Sequence, residues 1–123
     1  MTIAQDFFED NKTKEQIASL RTNLSDQQNR ITEVKESNPE LKNSFEQKLA
    51  NFSEIRGGKI YYPYLSSGLG NGALIELADG SIKYDFIIGI GVHILGHSHP
   101  KVVESCLKAA LEDTCLLYTS DAA

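Results

Sequence analysis

The stretch GNGALIELADGSIKYDFIIGIGVHILGHSHP, residues 70–100, decides the fold of this chain. It contains two apolar runs, residues 73–78 and 81–88, on either side of Asp79-Gly80. An Asp-Gly pair in this setting predicts a β-hairpin, because a type I′ turn needs positive φ at both central positions. Glycines then interrupt the chain up to Pro100, and proline suits the first turn of a helix because its missing N–H would be unpaired there. We therefore predict a hairpin, a glycine-containing loop and a helix.

Two further helices are predicted upstream of the hairpin. Thr13 and Gln16 have the spacing of a capping box, and the apolar residues that follow share one helical face: Ile17, Leu20, Leu24, Ile31 and Val34. Asn38-Pro39 ends this helix and begins the second one. Gly57-Gly58 ends the second, because glycine readily adopts the left-handed conformation of a helix C-terminus. Together with the hairpin, these helices predict an α+β fold.

The composition excludes several classes of partner. The formal charge is −5 and the pI is about 5.1, whereas nucleic acids and anionic membranes call for a basic surface. No apolar run approaches the roughly 20 residues that span a bilayer. The N-terminus is acidic and lacks the basic-then-apolar order of a signal peptide. We therefore expect a cytoplasmic protein that binds neither nucleic acid nor membrane.

The cysteines indicate neither a disulfide-bonded fold nor a catalytic thiol. Two cysteines, Cys106 and Cys115, do not make a disulfide framework. Cys106 lies on the predicted apolar face of the last helix, so we expect it to be a small buried side chain.

Two glycine patterns resemble phosphate-binding loops, and their spacing disfavours both. Gly68, Gly70 and Gly72 lead into a strand, whereas phosphate loops lead into a helix whose N-terminus faces the anion. Gly89 and Gly91 follow a strand, but Ile94 stands where a dinucleotide fingerprint has its third glycine.

The three histidines allow a hypothesis in another functional class. Residues two apart on an extended segment share a side, so His97 and His99 could converge on one metal ion, with His93 joining them. The alternative function is thus a small metal-binding module. The competing interpretation is structural, with His99 capping the next helix and His97 hydrogen-bonded to the backbone.

The combined motif is similar to one family. Asp79-Gly80, Lys83-Tyr84-Asp85-Phe86 and Gly96-His97-Ser98-His99-Pro100, followed by a helix, resemble the N-terminal region of class III pyridoxal-phosphate-dependent aminotransferases. That family includes the acetylornithine, ornithine and 4-aminobutyrate aminotransferases. The resemblance covers roughly residues 60–113, and the upstream helices are not part of the common pattern. Residues 13–56 could instead form a helical interaction module.

The resemblance implies a truncated enzyme. The expected whole is a fold-type I transferase, typically a cytoplasmic homodimer, that moves an amino group between an amino acid or amine and a 2-oxo acid. Pyridoxal 5′-phosphate would be its cofactor. The family's cofactor lysine, its aspartate and its phosphate loop lie beyond this chain, and four lysines here do not match that lysine motif: Lys59, Lys83, Lys101 and Lys108. We therefore expect this chain alone to be inactive, with a decarboxylase or aminomutase also compatible with the motif.

The resemblance also implies part of a substrate pocket. The loop after Tyr-Asp-Phe runs beside the substrate in the family, which makes substrate-binding residues of Gly89, Ile90, Gly91 and Val92. A tyrosine near the substrate often precedes the hairpin, and Tyr61 and Tyr62 both fit that place. Gly96-His97 and His99-Pro100 are expected to be structural.

The chain divides into four segments on this interpretation. Residues 1–12 are expected to be a disordered lead-in, residues 13–58 a helical extension and residues 59–114 the start of the aminotransferase domain, with residues 59–72 irregular. The last segment, CLLYTSDAA at residues 115–123, looks like a translated sequencing adapter. We expect the natural sequence to be interrupted near Thr114.

Overall fold

The computed structural model describes residues 2–112. In chain order it contains α1 (Ile3–Glu9), α2 (Asn11–Gln28), a 3-10 helix (Pro39–Leu41), α3 (Lys42–Arg56), β1 (Ser66–Asn71), β2 (Leu74–Leu77), β3 (Ile82–Tyr84) and α4 (Pro100–Leu111). The predicted α+β class is confirmed. The adapter-like segment and Cys115 lie outside the described residues.

The chain forms two compact units. One comprises residues 2–26 and 99–112, and the other comprises residues 27–98. No helix among residues 2–112 combines the length and the apolar character needed to cross a bilayer.

The first unit is helical. The segment expected to be a lead-in contains α1, because Thr2 and Gln5 form a capping box at its start. The predicted cap at Thr13 is wrong: α2 begins at Asn11, and Asp10 Oδ2 accepts the N–H of Thr13 at 3.0 Å. An ion pair joins α2 to α4, with Arg21 Nη1 at 2.7 Å from Glu104 Oε2.

α4 begins where the sequence predicts, but the predicted burial of one of its residues is wrong. Pro100 occupies the first turn of the helix. Cys106, expected to be buried, is exposed, because the apolar face of α4 has no described residue covering that position.

α2 ends six residues earlier than its apolar pattern indicates. The N–H of Ile31 bonds to the Gln28 carbonyl at 2.8 Å, which tightens the last turn and ends the helix. The end of α2 and the extended segment that follows it, together residues 27–38, then cross the sheet, and we call them the strap. In the strap Ile31 is buried in the sheet core, and Lys35 exchanges two backbone hydrogen bonds of 3.0 Å with Ile82.

The second unit is built on an antiparallel sheet in the order β1-β2-β3. Its core consists of Ile31, Leu74 and Ile82, with Leu69 partly buried against them. The glycine-rich sequence predicts an irregular segment over residues 59–72, but the structure has β1 there. It is a strand because β2 supplies its backbone partners, with Gly70 opposite Ile75.

The hairpin between β2 and β3 is confirmed, but its turn is not type I′. The Gly80 N–H bonds to the Leu77 carbonyl at 2.9 Å and the Leu77 N–H to the Ser81 carbonyl at 2.8 Å. Among the three loop residues only Gly80 has a positive φ, +77°. This is a three-residue loop with a glycine bulge, another common connection between the two strands of a hairpin.

Helix ends set by local signals are confirmed in this unit. The Asn38 side chain caps the 3-10 helix by accepting the Glu40 N–H at 3.0 Å. Gly57 ends α3 in the left-handed conformation, with φ +79°.

Candidate functional site

Asp85 follows β3 and is the first residue of the loop 85–96, which we call the turn loop. Its N–H bonds to the Ala73 carbonyl at 2.9 Å, the last backbone contact before the loop. Its Oδ1 then accepts the N–H groups of Ile87 at 2.8 Å and Ile88 at 3.0 Å. These bonds turn the chain away from the sheet, which is why β3 stops at Tyr84 and not at the predicted Ile88.

His97 closes the turn loop by pairing with Asp85. Its Nε2 lies 2.8 Å from Asp85 Oδ2, and because an ionised carboxylate only accepts, the imidazole donates. His97 therefore has two partners: its imidazole bonds to the Asp85 side chain, and its backbone N–H bonds to the Gly72 carbonyl at 2.9 Å. We call this pair the Asp85–His97 lock.

The lock holds the carboxylate in its charged form. Burial alone would raise the pKa of Asp85. The hydrogen bonds from the Ile87 N–H, from His97 and from the Ile88 N–H outweigh burial, so the pKa of Asp85 lies below its ordinary value. The lock is therefore a hydrogen bond from the imidazole to a charged carboxylate.

Two glycines permit this close packing. A Cβ at Gly70 would lie 2.5 Å from the His97 Cβ and 2.6 Å from the Leu74 carbonyl oxygen. Gly96 has φ +94°, and a Cβ there would lie 2.9 Å from the Gly72 Cα. The prediction that Gly96 serves a tight approach is thus confirmed. His99, expected to cap α4, makes no side-chain capping bond.

The turn loop carries backbone strain at two isoleucines. Ile88 has φ +47° and Ile90 has φ +58°, a conformation that β-branched residues rarely adopt. Successive turns hold it: the Ile90 N–H bonds to the Ile87 carbonyl at 3.0 Å and the Gly91 N–H to the Ile88 carbonyl at 3.1 Å. Ile90 is 94% exposed, so the strain presents an apolar side chain to the outside.

An aromatic cleft of about 520 Å³ lies beside the first residues of the turn loop. Among its lining residues, Tyr62 and Tyr64 are stacked with ring centroids 6.4 Å apart, and Tyr84 and Phe86 have centroids 6.0 Å apart. Tyr61 does not line the cleft; it packs edge-on against Tyr62.

The predicted site residues fall into two groups. Tyr62 faces the same cleft as Asp85, Phe86 and Ile87, whereas Gly89, Ile90, Gly91 and Val92 lie further along the turn loop and do not line it. The cleft also contains residues that sequence reasoning left without a role, namely Tyr64, Tyr84 and Phe86. Aspartate favours turns because its side chain can accept the backbone N–H groups that follow it, and this preference could have identified Asp85.

The histidines do not assemble a metal site. His93 and His97 are near each other, with ring centroids 4.3 Å apart, but His97 Nε2 is used by Asp85. Among residues 2–112 no group of three or more His, Cys, Asp or Glu side chains could hold a metal ion.

Short segments of the chain are similar to curated enzymes. It is 43% identical over 44 residues to glutamate-1-semialdehyde 2,1-aminomutase of Methanothermobacter thermautotrophicus, covering 36% of this chain and 10% of that protein. It is 44% identical over 52 residues to acetylornithine aminotransferase of Methanocaldococcus jannaschii, covering 42% and 12%. For acetylornithine aminotransferase of Mycobacterium tuberculosis strain H37Rv, the identity is 34% over 61 residues, covering 48% and 15%.

These matches are partial. They span between 10% and 15% of the length of the relatives named here. No family model and no solved structure matches the chain. The similarity therefore supports an aminotransferase-like sequence over the matched segments.

Proposed function

We propose that this chain is the N-terminal part of a class III pyridoxal-phosphate-dependent aminotransferase. The whole enzyme would transfer an amino group between an amino acid or amine and a 2-oxo acid, as a cytoplasmic homodimer. The similarity to acetylornithine aminotransferases and to an aminomutase supports the reaction class. Residues 59–114 would be the start of the enzyme's domain and residues 13–58 an extension added to it.

The observation that carries the proposal is the Asp85–His97 lock. The family-like motif has two halves, Tyr84-Asp85-Phe86 and Gly96-His97-Ser98-His99-Pro100, separated by residues 87–95. The 2.8 Å contact joins these halves directly. We infer that the two halves of the motif fix the ends of the turn loop, while the residues at its tip could differ between enzymes with different substrates.

The tip of the turn loop is proposed to be one wall of the substrate pocket. Strained conformations persist where surrounding structure and function require them, and Ile88 and Ile90 are both strained. Gly89, Ile90, Gly91 and Val92 would contact the substrate. The aliphatic Ile90 would provide an apolar wall without a hydrogen-bonding group, which selects against polar groups at that point of the substrate.

Tyr62 is the better candidate for the tyrosine near the substrate. It shares the aromatic cleft with the beginning of the turn loop, whereas Tyr61 packs against Tyr62 and does not line the cleft. A phenol can donate a hydrogen bond to a substrate carboxylate.

The described residues do not fit as the holder of the cofactor. When bound, pyridoxal phosphate supplies an electron sink for the carbanion of the amino-acid substrate. The aromatic cleft contains one lysine, Lys83, which is exposed, and no glycine-rich turn in the cleft leads into a helix that could receive a phosphate. We therefore propose that the cofactor lysine and the phosphate loop belong to sequence beyond this chain.

Reading the parent gene through the junction near Thr114 tests the proposal. We expect a glycine-rich phosphate loop and, later, a lysine in the family's cofactor motif. A complete gene without that lysine would defeat the proposal. The 123-residue chain, incubated with pyridoxal phosphate, an amino donor and a 2-oxo acid, should transfer no amino group. Amino transfer above that of cofactor alone would contradict this part.

A further inference from the structure

We propose that Gln28 is a positioning residue, which fixes His97 and through it the Asp85 carboxylate and the start of the turn loop. Gln28 is 5% exposed. Its side-chain Nε2 lies 2.9 Å from the Gly70 carbonyl oxygen, 3.0 Å from that of Ser98 and 3.3 Å from that of His97. An amide has two N–H bonds, so these three acceptors share them.

The strap around Gln28 is itself held by the sheet. Asn71 Nδ2 donates to the carbonyl oxygens of Gln28 and Ile31, both at 3.2 Å. Further along, Lys35 and Ile82 exchange backbone hydrogen bonds. Gln28 is therefore bound through its backbone to the end of β1 and through its side chain to the segment that carries His97.

The position of Gln28 matters because it lies where two backbone segments approach closely. At Gly70 the chain lies so near His97 that a Cβ would be 2.5 Å from the His97 Cβ. Carbonyl oxygens of both segments face the Gln28 amide. Buried carbonyls need donors, and without the amide they would repel one another and admit water. The His97 segment would then move away from Gly70, and its imidazole away from Asp85.

The test compares Gln28→Met with Gln27→Met in the full 123-residue chain. Methionine keeps the length and volume of glutamine and removes the donor. Gln27 is the neighbouring, exposed glutamine, whose side-chain oxygen accepts from Arg30. Carboxylate titrations by NMR and amide hydrogen exchange are measured in both variants.

In Gln28→Met we expect the pKa of Asp85 to rise toward its ordinary value, because His97 and the N–H donors are loosened. The amides of Ile87 and Ile88 should exchange about tenfold faster or more, as expected when the hydrogen bonds that protect them are lost. The pKa of Asp79, which Ser81 lowers locally, should not change, and Gln27→Met should change neither. A general loss of structure would move both aspartates, so selectivity for Asp85 distinguishes positioning from stability.

Unchanged Asp85 titration and unchanged exchange at Ile87 and Ile88 would overturn the inference. If Gln28→Met does not fold, Gln28→Asn retains the amide on a shorter side chain and should raise the pKa of Asp85 by a smaller amount, with Asp79 unaffected. No selective change in Gln28→Asn would also overturn it. Only the relevance of the turn loop to substrate depends on the proposed function, and that function is tested separately by the parent gene.

Discussion

Two aspartates on either side of β3 show how differently two turns in one sheet are built. Asp79 sits in the hairpin loop and accepts from the N–H of Ser81 at 2.9 Å and from its hydroxyl at 2.6 Å. Asp85 also accepts backbone N–H groups, but its second oxygen depends on His97, twelve residues away. Burial raises the pKa of each, and hydrogen bonds outweigh it, so both carboxyls have a lowered pKa.

The backbone of the two turns differs in the same way. The hairpin loop assigns its positive φ to Gly80, which adopts it without steric cost. The turn loop assigns positive φ to Ile88 and Ile90 as well as to glycines. A turn whose residues suit its conformation forms by itself, whereas the turn loop needs the strap, β1 and His97 to hold it. Variants that remove one support at a time can break or sharpen this contrast.

The largest effect is expected for Gly70→Ala. The new methyl group would overlap the His97 Cβ and the Leu74 carbonyl, so His97 must move and the lock must open. Overpacking of this kind costs about 2–3 kcal/mol, measured as the free energy of unfolding in urea. Gly58→Ala is the control, because nothing lies within 4 Å of a Cβ there. Equal stability of the two variants would show that His97 is not constrained by β1.

Asp85→Ala should cost more stability than Asp79→Ala. Removing Asp85 leaves the His97 imidazole, which is 7% exposed, without its acceptor, at a cost of about 2 kcal/mol. Removing Asp79 leaves the N–H and the hydroxyl of the fully buried Ser81 without their acceptor, but the hydroxyl can rotate to another acceptor, so the cost is about 1 kcal/mol. Thermal or urea unfolding measures both. The reverse order would mean that the hairpin turn, and not the lock, is the more demanding of the two.

Acid should weaken the turn loop through Asp85. Its folded pKa is lowered, so its contribution to stability is present above the unfolded value of about 4 and is lost as pH falls through the folded pKa. In Asp85→Asn the decline in stability on acidification should be shallower than in the parent chain. Asp79 also has a lowered pKa and should leave a residual decline. An unchanged acid profile in Asp85→Asn would show that the lock contributes no pH dependence.

The same contrast explains which features the sequence alone could predict. Four signals that act within a few residues predict features that the structure confirms: the Asn38 cap, the left-handed Gly57, Pro100 at the start of α4 and the Asp-Gly hairpin. The partner of His97 could not be predicted, because the contact with Asp85 requires a fold that brings the two ends of a loop together.

The features missed in the sheet unit share a physical cause, which is that tertiary contacts outweighed local pattern. Ile31 continues a helical stripe but is buried against the sheet instead. β1 lacks apolar alternation and is a strand through its pairing with β2. Gln28 is a polar residue in a helical sequence, and no local pattern predicts that its buried side chain donates to three carbonyls.

The smallest effect, and the one that isolates strain, is expected for Ile90→Gly. Ile90 is exposed, so replacing it loses little packing, while glycine relieves a left-handed conformation that costs roughly 1–2 kcal/mol for other residues. The greater freedom of glycine in the unfolded chain offsets part of that gain, leaving stabilisation of about 0.5 kcal/mol. Val92→Gly is the matched control, since Val92 is also exposed but has no positive φ, and it should be neutral or destabilising. If both variants lose stability equally, Ile90 carries no strain, and the turn loop would resemble the hairpin loop in being built from residues that suit it.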